Sequence, residues 1–344
     1  MRKTAITACA AALASVAFAG QGWAADVVTA VKVEKPPVLS AGAADSAWAG
    51  AKGLAIELLG GANFKDGKSK GMIKAVYSGD MLYVLVQWDD PTESLRRFPY
   101  QKQADGSWKK LVDPNDKMGH DDNLYYEDKL AFIWNINNSI KGFNEQGCMV
   151  TCHAGEKGKP YGNKYTASAG ELGDIWHVKR VRSIPVGQSD DQYVNHDRYD
   201  EKKTPGAGRH GDKKTGGGYS NIKLVDGKPA LMDKGATPSN KGGTYWLKAE
   251  DKAPFDDSKF KAGDEVASIL VSPFQGNRAD LASTMTWKDG KWTVVIARKL
   301  VTGDQHDVQF DNLDGTYSFG VAAFDNAQVR HAYQISVNQL KFAK

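Results

Sequence analysis

Leu82-Tyr83-Val84-Leu85-Val86-Gln87-Trp88 decides the fold class. Apolar side chains recur at every second position, so Leu82, Val84, Val86 and Trp88 share one face of an extended chain, as in a strand with one buried side. Trp292-Thr293-Val294-Val295-Ile296-Ala297 alternates in the same way. Outward from these two segments, the pattern predicts further strands over 71–77, 129–136, 176–181, 265–271, 284–288, 317–324 and 331–340. Turns bearing Gly or Asp, such as Ser78-Gly79-Asp80 and Asp289-Gly290, separate many of them, and few stretches carry a helical period. Many short alternating strands joined by turns predict a mainly β chain folded as a sandwich.

Two stretches interrupt this pattern. Residues 137–174 are rich in Gly, Lys and Asn and read as a long loop. Residues 195–264, dominated by Gly, Lys, Asp and Asn, read as a polar insertion without a hydrophobic core of its own. No internal repeat and no linker between independent units is visible, so residues 25–344 are expected to form a single domain.

The N-terminus reads as a secretory signal peptide over residues 1–24. Arg2 and Lys3 are followed by an apolar, alanine-rich run and by the small-residue sites Ala17-Phe18-Ala19 and Gly22-Trp23-Ala24. That run is too short and too weakly apolar for a membrane span, and no later run is long enough. The expectation is an exported, periplasmic protein with no membrane span after cleavage. The formal charge is +4, and losing Arg2 and Lys3 leaves +2. Both signs are interspersed, which excludes a basic stripe for nucleic acid and a polybasic membrane patch.

The chemistry lies in Cys148-Met149-Val150-Thr151-Cys152-His153, inside the first irregular stretch. Two cysteines followed directly by a histidine can attach a haem: the thiols form thioethers with the vinyl groups and the imidazole ligates the iron. The usual spacing has two residues between the cysteines; here there are three. Cys9 falls in the signal peptide, so the mature chain has only this pair. An exported pair could instead form a disulfide, which leaves the adjacent histidine unexplained. A zinc site would need a second Cys/His pair at ligand spacing, and none is present.

Several segments together resemble the haem-binding subunit family of ethylbenzene dehydrogenase and dimethyl sulfide dehydrogenase, in its branch with covalently bound haem. They are Gly79 to Val84 leading into Trp88-Asp89-Asp90-Pro91-Thr92, then Tyr126 to Leu130 leading into Ile133-Trp134-Asn135-Ile136. Gly147 to His153 follows, then Asp174 to Lys179, Gly187 to Tyr193, Arg298-Lys299-Leu300, and Phe324-Asp325-Asn326 with Arg330-His331. The opening of the mature chain, Val38 to Gly42 with Asp45 and Trp48, is also similar to that of carbohydrate-binding and related haem-binding sandwiches. The resemblance implies an immunoglobulin-like β-sandwich with long loop insertions, one covalent haem c, a periplasmic location and electron transfer. Some members are subunits of molybdenum enzyme complexes and others act as free cytochromes.

His153 is the expected proximal ligand. Non-covalent members of the family carry an axial lysine near the last strand, where this chain has a histidine, so the resemblance implies His331 as the sixth ligand. Tyr333, Ile335 and Val337 are expected on the same side of that strand. His177 is the runner-up, with Trp176 along the haem edge and Lys179 at a propionate; Arg330 is a second propionate candidate. Non-covalent members also use an axial methionine near the motif; Met149 is badly placed for this and Met118 is conceivable. His120, His196, His210 and His306 complete the histidines.

Asp113, Asp116, Asp121, Asp122, Glu127 and Asp128, with Asn115 and Asn123, could offer oxygen ligands to calcium but read as a solvated acidic loop, as does Asp190-Asp191. No Ser/His/Asp triad, phosphate loop or dinucleotide fingerprint is present. The expectation is therefore a non-enzymatic mono-haem c-type cytochrome passing single electrons between redox proteins. The alternatives are an electron-transfer subunit held in a molybdenum oxidoreductase, a haem-based ligand binder, and a carbohydrate-binding sandwich whose cysteines form a disulfide.

Overall fold

The computed structural model describes residues 26–116, 121–153 and 164–344. The signal peptide, Met118 and His120 lie outside the described residues.

Thirteen strands form one continuous hydrogen-bonded sheet folded into two layers. They are β1 (Asp26–Lys32), β2 (Leu54–Leu59), β3 (Lys68–Ser78), β4 (Met81–Asp89), β5 (Lys129–Asn135), β6 (Gly173–Lys179), β7 (Asp190–Val194), β8 (Arg209–Gly211), β9 (Ala282–Lys288), β10 (Lys291–Lys299), β11 (Tyr317–Phe324), β12 (Ala332–Tyr333) and β13 (Asn338–Phe342). One layer runs β2-β3-β4-β10-β9 and the other β8-β7-β6-β5-β11. Two short connections join them. Strand β12 pairs with both β11 and β2, and β1 runs parallel to both β13 and β3. The chain is thus a mainly β sandwich with long insertions.

The core between the layers is built from the predicted faces. Leu82, Val84, Val86 and Trp88 of β4 meet Trp292, Val294 and Ile296 of β10 and Leu130, Phe132, Trp134, Trp176, Phe319 and Val321 of the opposite layer. Trp134 packs at 4.9 Å from Trp176 and 4.6 Å from Phe319 between ring centroids, within the range in which aromatic pairs add to simple burial.

The outer face of β4 and β10 is also buried, beneath Leu39 and Trp48 of the preceding segment. The expected strand over 331–340 is broken: β12 spans two residues, and Ile335 is exposed before β13 begins. The stretch 195–264 also departs from expectation. It contributes β8 and several short strands, of which Lys214–Asn221 pairs with Ile269–Gly276. Its Phe255 and Phe260 pack with Trp108 and Tyr100 in a small aromatic cluster of their own. No helix among the described residues is long and apolar enough to cross a membrane.

Candidate functional site

Strand alternation sets the site. In β5, Leu130, Phe132 and Trp134 enter the core while Ala131 and Ile133 turn to the far face; in β6, Trp176 and Val178 enter the core while Ile175 and His177 turn away from it. Gly320 and Ala322 of β11 face the same way. On this outer face, Phe143, Cys148, Val150 and Cys152 pack on Ile133, Ile175 and Val194. The cysteine motif is held there by a helical turn, Phe143–Gln146, and a tighter turn, Gly147–Val150. The Cys148 carbonyl accepts from the amides of Thr151 at 3.1 Å and His153 at 3.3 Å, which curls the motif back on itself.

Between the motif and the sheet is a cleft with about 900 Å³ of unfilled space, its open mouth included. This is within the usual range for a cofactor site. Cys148, Cys152, His153, His177, His331 and Tyr333 are among the residues lining it. Both cysteines are free thiols. Burial, reinforced by the neighbouring Cys152, pushes the Cys148 thiol up to about 12, so it stays protonated.

The two expected ligands face each other across the cleft, with Nε2 of His153 3.4 Å from Nε2 of His331. His331 Nδ1 lies 2.7 Å from the Val329 carbonyl. A carbonyl only accepts, so Nδ1 carries the proton and Nε2 keeps its lone pair for a metal. Burial, and then the neighbouring His153, push His331 down to about 3, and burial lowers His153 as well. Both rings are therefore neutral near pH 7, the state in which imidazole ligates. Together His153 and His331 are the residues of this cleft that would hold a metal ion. The Tyr333 ring lies 4.1 Å from that of His153, tilted by 34°, and Phe324 lies 4.7 Å from His331.

His177 borders the same cleft but is held differently. Its Nδ1 accepts from the Arg209 guanidinium, which puts its own proton on Nε2. That Nε2 is buried and has no hydrogen-bond partner among the described residues. In this tautomer it is a donor, not a metal ligand.

Three sequence candidates are corrected. Trp176 points into the core on the opposite face of β6 from His177, away from the cleft. Lys179 is buried in an ion pair with Asp190 and donates to Tyr219 at 3.1 Å. Arg330 donates to Asp121 at 2.7 Å. Among the described residues, the lysine and arginine bordering the cleft are Lys164 and Arg209; both lie in polar stretches without a periodic pattern, so the sequence carries no signal for them. Met149 is next to Cys148 but is absent from the cleft wall. Nor is the acidic stretch simply solvated. Asp122 and Glu127 are fully buried and accept from backbone amides, and Asp190 and Asp191 are fully buried as well.

Gly320 shows how tightly the motif is seated. A Cβ there would lie 3.3 Å from both Cβ and Sγ of Cys148 and 3.1 Å from Ile133. Gly320→Val should cost about 1–3 kcal/mol through overpacking and push Cys148 off the sheet. Urea unfolding checks the first effect, and faster alkylation of the Cys148 thiol checks the second.

Fold and site together define a β-sandwich that carries two thiols and two facing imidazoles in one apolar cleft. The ethylbenzene dehydrogenase family profile matches residues 45–336. The chain belongs to that family. A search of curated protein sequences gives no match. Among solved structures, a Bacteroides uniformis protein assigned to carbohydrate binding aligns at 8% identity and a TM-score of 0.38, covering 93% of this chain and 100% of its own. A family 9 carbohydrate-binding module of Caldicellulosiruptor kristjanssonii in complex with cellotriose aligns at 7% identity and 0.34, covering 92% and 95%. Likeness at this level carries no argument about ligand.

Proposed function

We propose that this protein is an exported, periplasmic c-type cytochrome, holding one haem through thioethers to Cys148 and Cys152 and passing single electrons between redox proteins. The observation that carries the reading is the facing Nε2 pair of His153 and His331, beside two free thiols in an apolar cleft. The bound group would supply a one-electron iron couple. The protein's part is to hold and shield it. The Val329 carbonyl fixes the His331 tautomer, while Tyr333, Phe324, Ile133 and Ile175 exclude water from the cleft. Arg209 and Lys164, which border the cleft, would offset the negative charge of the propionates.

The family supports a second arrangement for the same chemistry, in which the chain is bound within a molybdenum oxidoreductase. Co-purification with a large molybdenum subunit would favour it over a free carrier.

The test is the mature protein exported from a host with haem-attachment machinery. A c-type reduced pyridine haemochrome is expected, with haem stain that stays on the polypeptide in a denaturing gel. Cys148→Ala/Cys152→Ala should lose that stain. No haem from a competent host would sink the cytochrome reading, and stain that comes off the wild-type chain would remove the thioethers from it.

A further inference from the structure

Behind the cleft wall, on the core side of the same strands, the sandwich buries a group of carboxylates that the cytochrome reading does not use. Asp174 of β6, Asp191 of β7 and Asp307 of the loop after β10 are each at most 1% exposed, and one carboxylate oxygen from each lies within 4.8 Å of the others. Asp212, just past β8 and 2% exposed, adjoins them, its amide donating to the Asp191 carbonyl at 3.2 Å.

The hydrogen bonding of these acids is incomplete in a consistent way. Oδ2 of Asp174 accepts from Trp176 Nε1 and the Val308 amide, each at 3.0 Å. Oδ2 of Asp307 accepts from Thr302 Oγ1 and lies 3.0 Å from an Arg298 nitrogen. The remaining oxygens accept nothing from the described residues: Oδ1 of Asp174, Oδ1 of Asp307, and both oxygens of Asp191 and of Asp212. Six buried carboxylate oxygens are thus left without a donor, and Arg298 is the one cation paired with the group among the described residues. An uncompensated buried carboxylate costs several kcal/mol or takes up a proton, so something must neutralise this cluster.

We propose that Asp174, Asp191 and Asp307 bind one calcium ion, with Asp212 beside them. Calcium takes six to eight oxygen ligands at 2.3–2.6 Å and accepts bidentate carboxylates, which suits the number, chemistry and spread of the free oxygens. The group contains no imidazole or thiolate, as zinc or copper would favour. Magnesium dehydrates reluctantly and usually keeps several waters, which fits poorly with acids buried to this depth. The ion ties β6, β7, the end of β8 and the loop after β10 together. These strands present Ile175, His177, Val194 and Arg209 to the cleft on their other face, so the ion braces the cleft wall from behind.

The second carboxylate group, Asp90, Asp128 and Asp325, makes the contrast. Asp128 accepts from the Ser94 and Asn326 amides and from Trp292 Nε1, and Asp325 accepts from Thr92 and Ser94. Among the described residues, Asp90 Oδ2 is the one carboxylate oxygen of that group buried without a partner, and donors serve Asp90 Oδ1, both oxygens of Asp128 and Oδ1 of Asp325.

The test uses the full mature chain and does not depend on haem. After incubation with calcium chloride and desalting, elemental analysis should find one calcium per chain. Chelation with EGTA should lower Tm by at least about 5 °C, and added calcium should restore it. Asp191→Asn should lose both the metal and the calcium-dependent part of Tm. No retained calcium, with a wild-type Tm indifferent to calcium and EGTA, would overturn the proposal and leave shared protons as the neutralising charge. Stoichiometric magnesium in place of calcium would overturn the choice of ion. If Asp191→Asn does not fold, wild-type metal content and Tm response still decide.

Discussion

In the proposed cytochrome, His331→Ala should open the sixth iron position, so that the reduced variant binds carbon monoxide stoichiometrically while the reduced wild type binds little or none. In the structure, Nε2 of His331 is set 3.4 Å from Nε2 of His153, and its tautomer is fixed by the bond from Nδ1–H to the Val329 carbonyl. Alanine removes the ligand without disturbing the thiols or His153, so the haem should remain attached. His177→Ala is the control. That ring borders the cleft, but Arg209 occupies its Nδ1 and leaves the proton on Nε2, so its loss should leave the ligand-binding spectrum close to wild type. The measurement is a carbon monoxide titration of the dithionite-reduced proteins followed in the Soret band. A carbon monoxide site created by His177→Ala and not by His331→Ala would reverse the assignment. A wild type that already binds carbon monoxide fully would point to an open position and a ligand-binding role.

The architecture was legible where one face of a strand sufficed to identify it. Alternation in 82–88, 292–297 and 317–324 marks β4, β10 and β11, because each commits its apolar side chains to the single interlayer core. It could not show that the other face of β4 is also covered, since Trp48 and Leu39 reach it from a segment without strand periodicity. Nor could it show the break after Tyr333, where the chain leaves β12 before pairing again as β13. At the site, the motif singled out Cys148, Cys152 and His153 and the resemblance added His331, and the structure brings all four to one cleft. The charged partners were misplaced because a lysine or arginine near a motif carries no signal of which carboxylate it meets. Lys179 meets Asp190 and Arg330 meets Asp121, while Arg209 reaches the cleft from a strand that sequence reading took for part of a polar loop. Period two does contain one piece of side-chain information that settles a role. Trp176 and His177 are adjacent, so they must face opposite ways, and burial of the tryptophan in the core sends the histidine to the cleft.

Glu127→Ala should destabilise the fold by about 3–5 kcal/mol, the usual cost of removing one partner from a buried ion pair and a large share of an ordinary domain's 5–15 kcal/mol. Glu127 is fully buried and pairs with the Arg182 guanidinium, with Arg97 3.7 Å away. It also accepts the amides of Val181 at 2.6 Å and Arg182 at 3.2 Å, which fix the turn that follows β6. Alanine would strand two guanidiniums and two amides in the interior. Burial alone would raise this carboxyl, but the Arg182 and Arg97 charges and the Val181 amide outweigh it and hold Glu127 below the ordinary glutamate range. The sign of the pH dependence follows. The unfolded chain takes up the proton near pH 4.3 and the folded chain only at lower pH, so this stabilisation is complete above about pH 4.5 and lost as pH falls through the folded value. Asp190, held low by Lys179 and Arg278 against the effect of burial, adds a component of the same sign. Urea unfolding of the wild type should therefore weaken steeply below about pH 4.5. Glu127→Gln, which removes the charge and keeps the shape, should be less stable at pH 7 and lose less on acidification. Parallel pH profiles for the two proteins, or a change below 1 kcal/mol at pH 7, would show that the pair does not hold the turn after β6 in place.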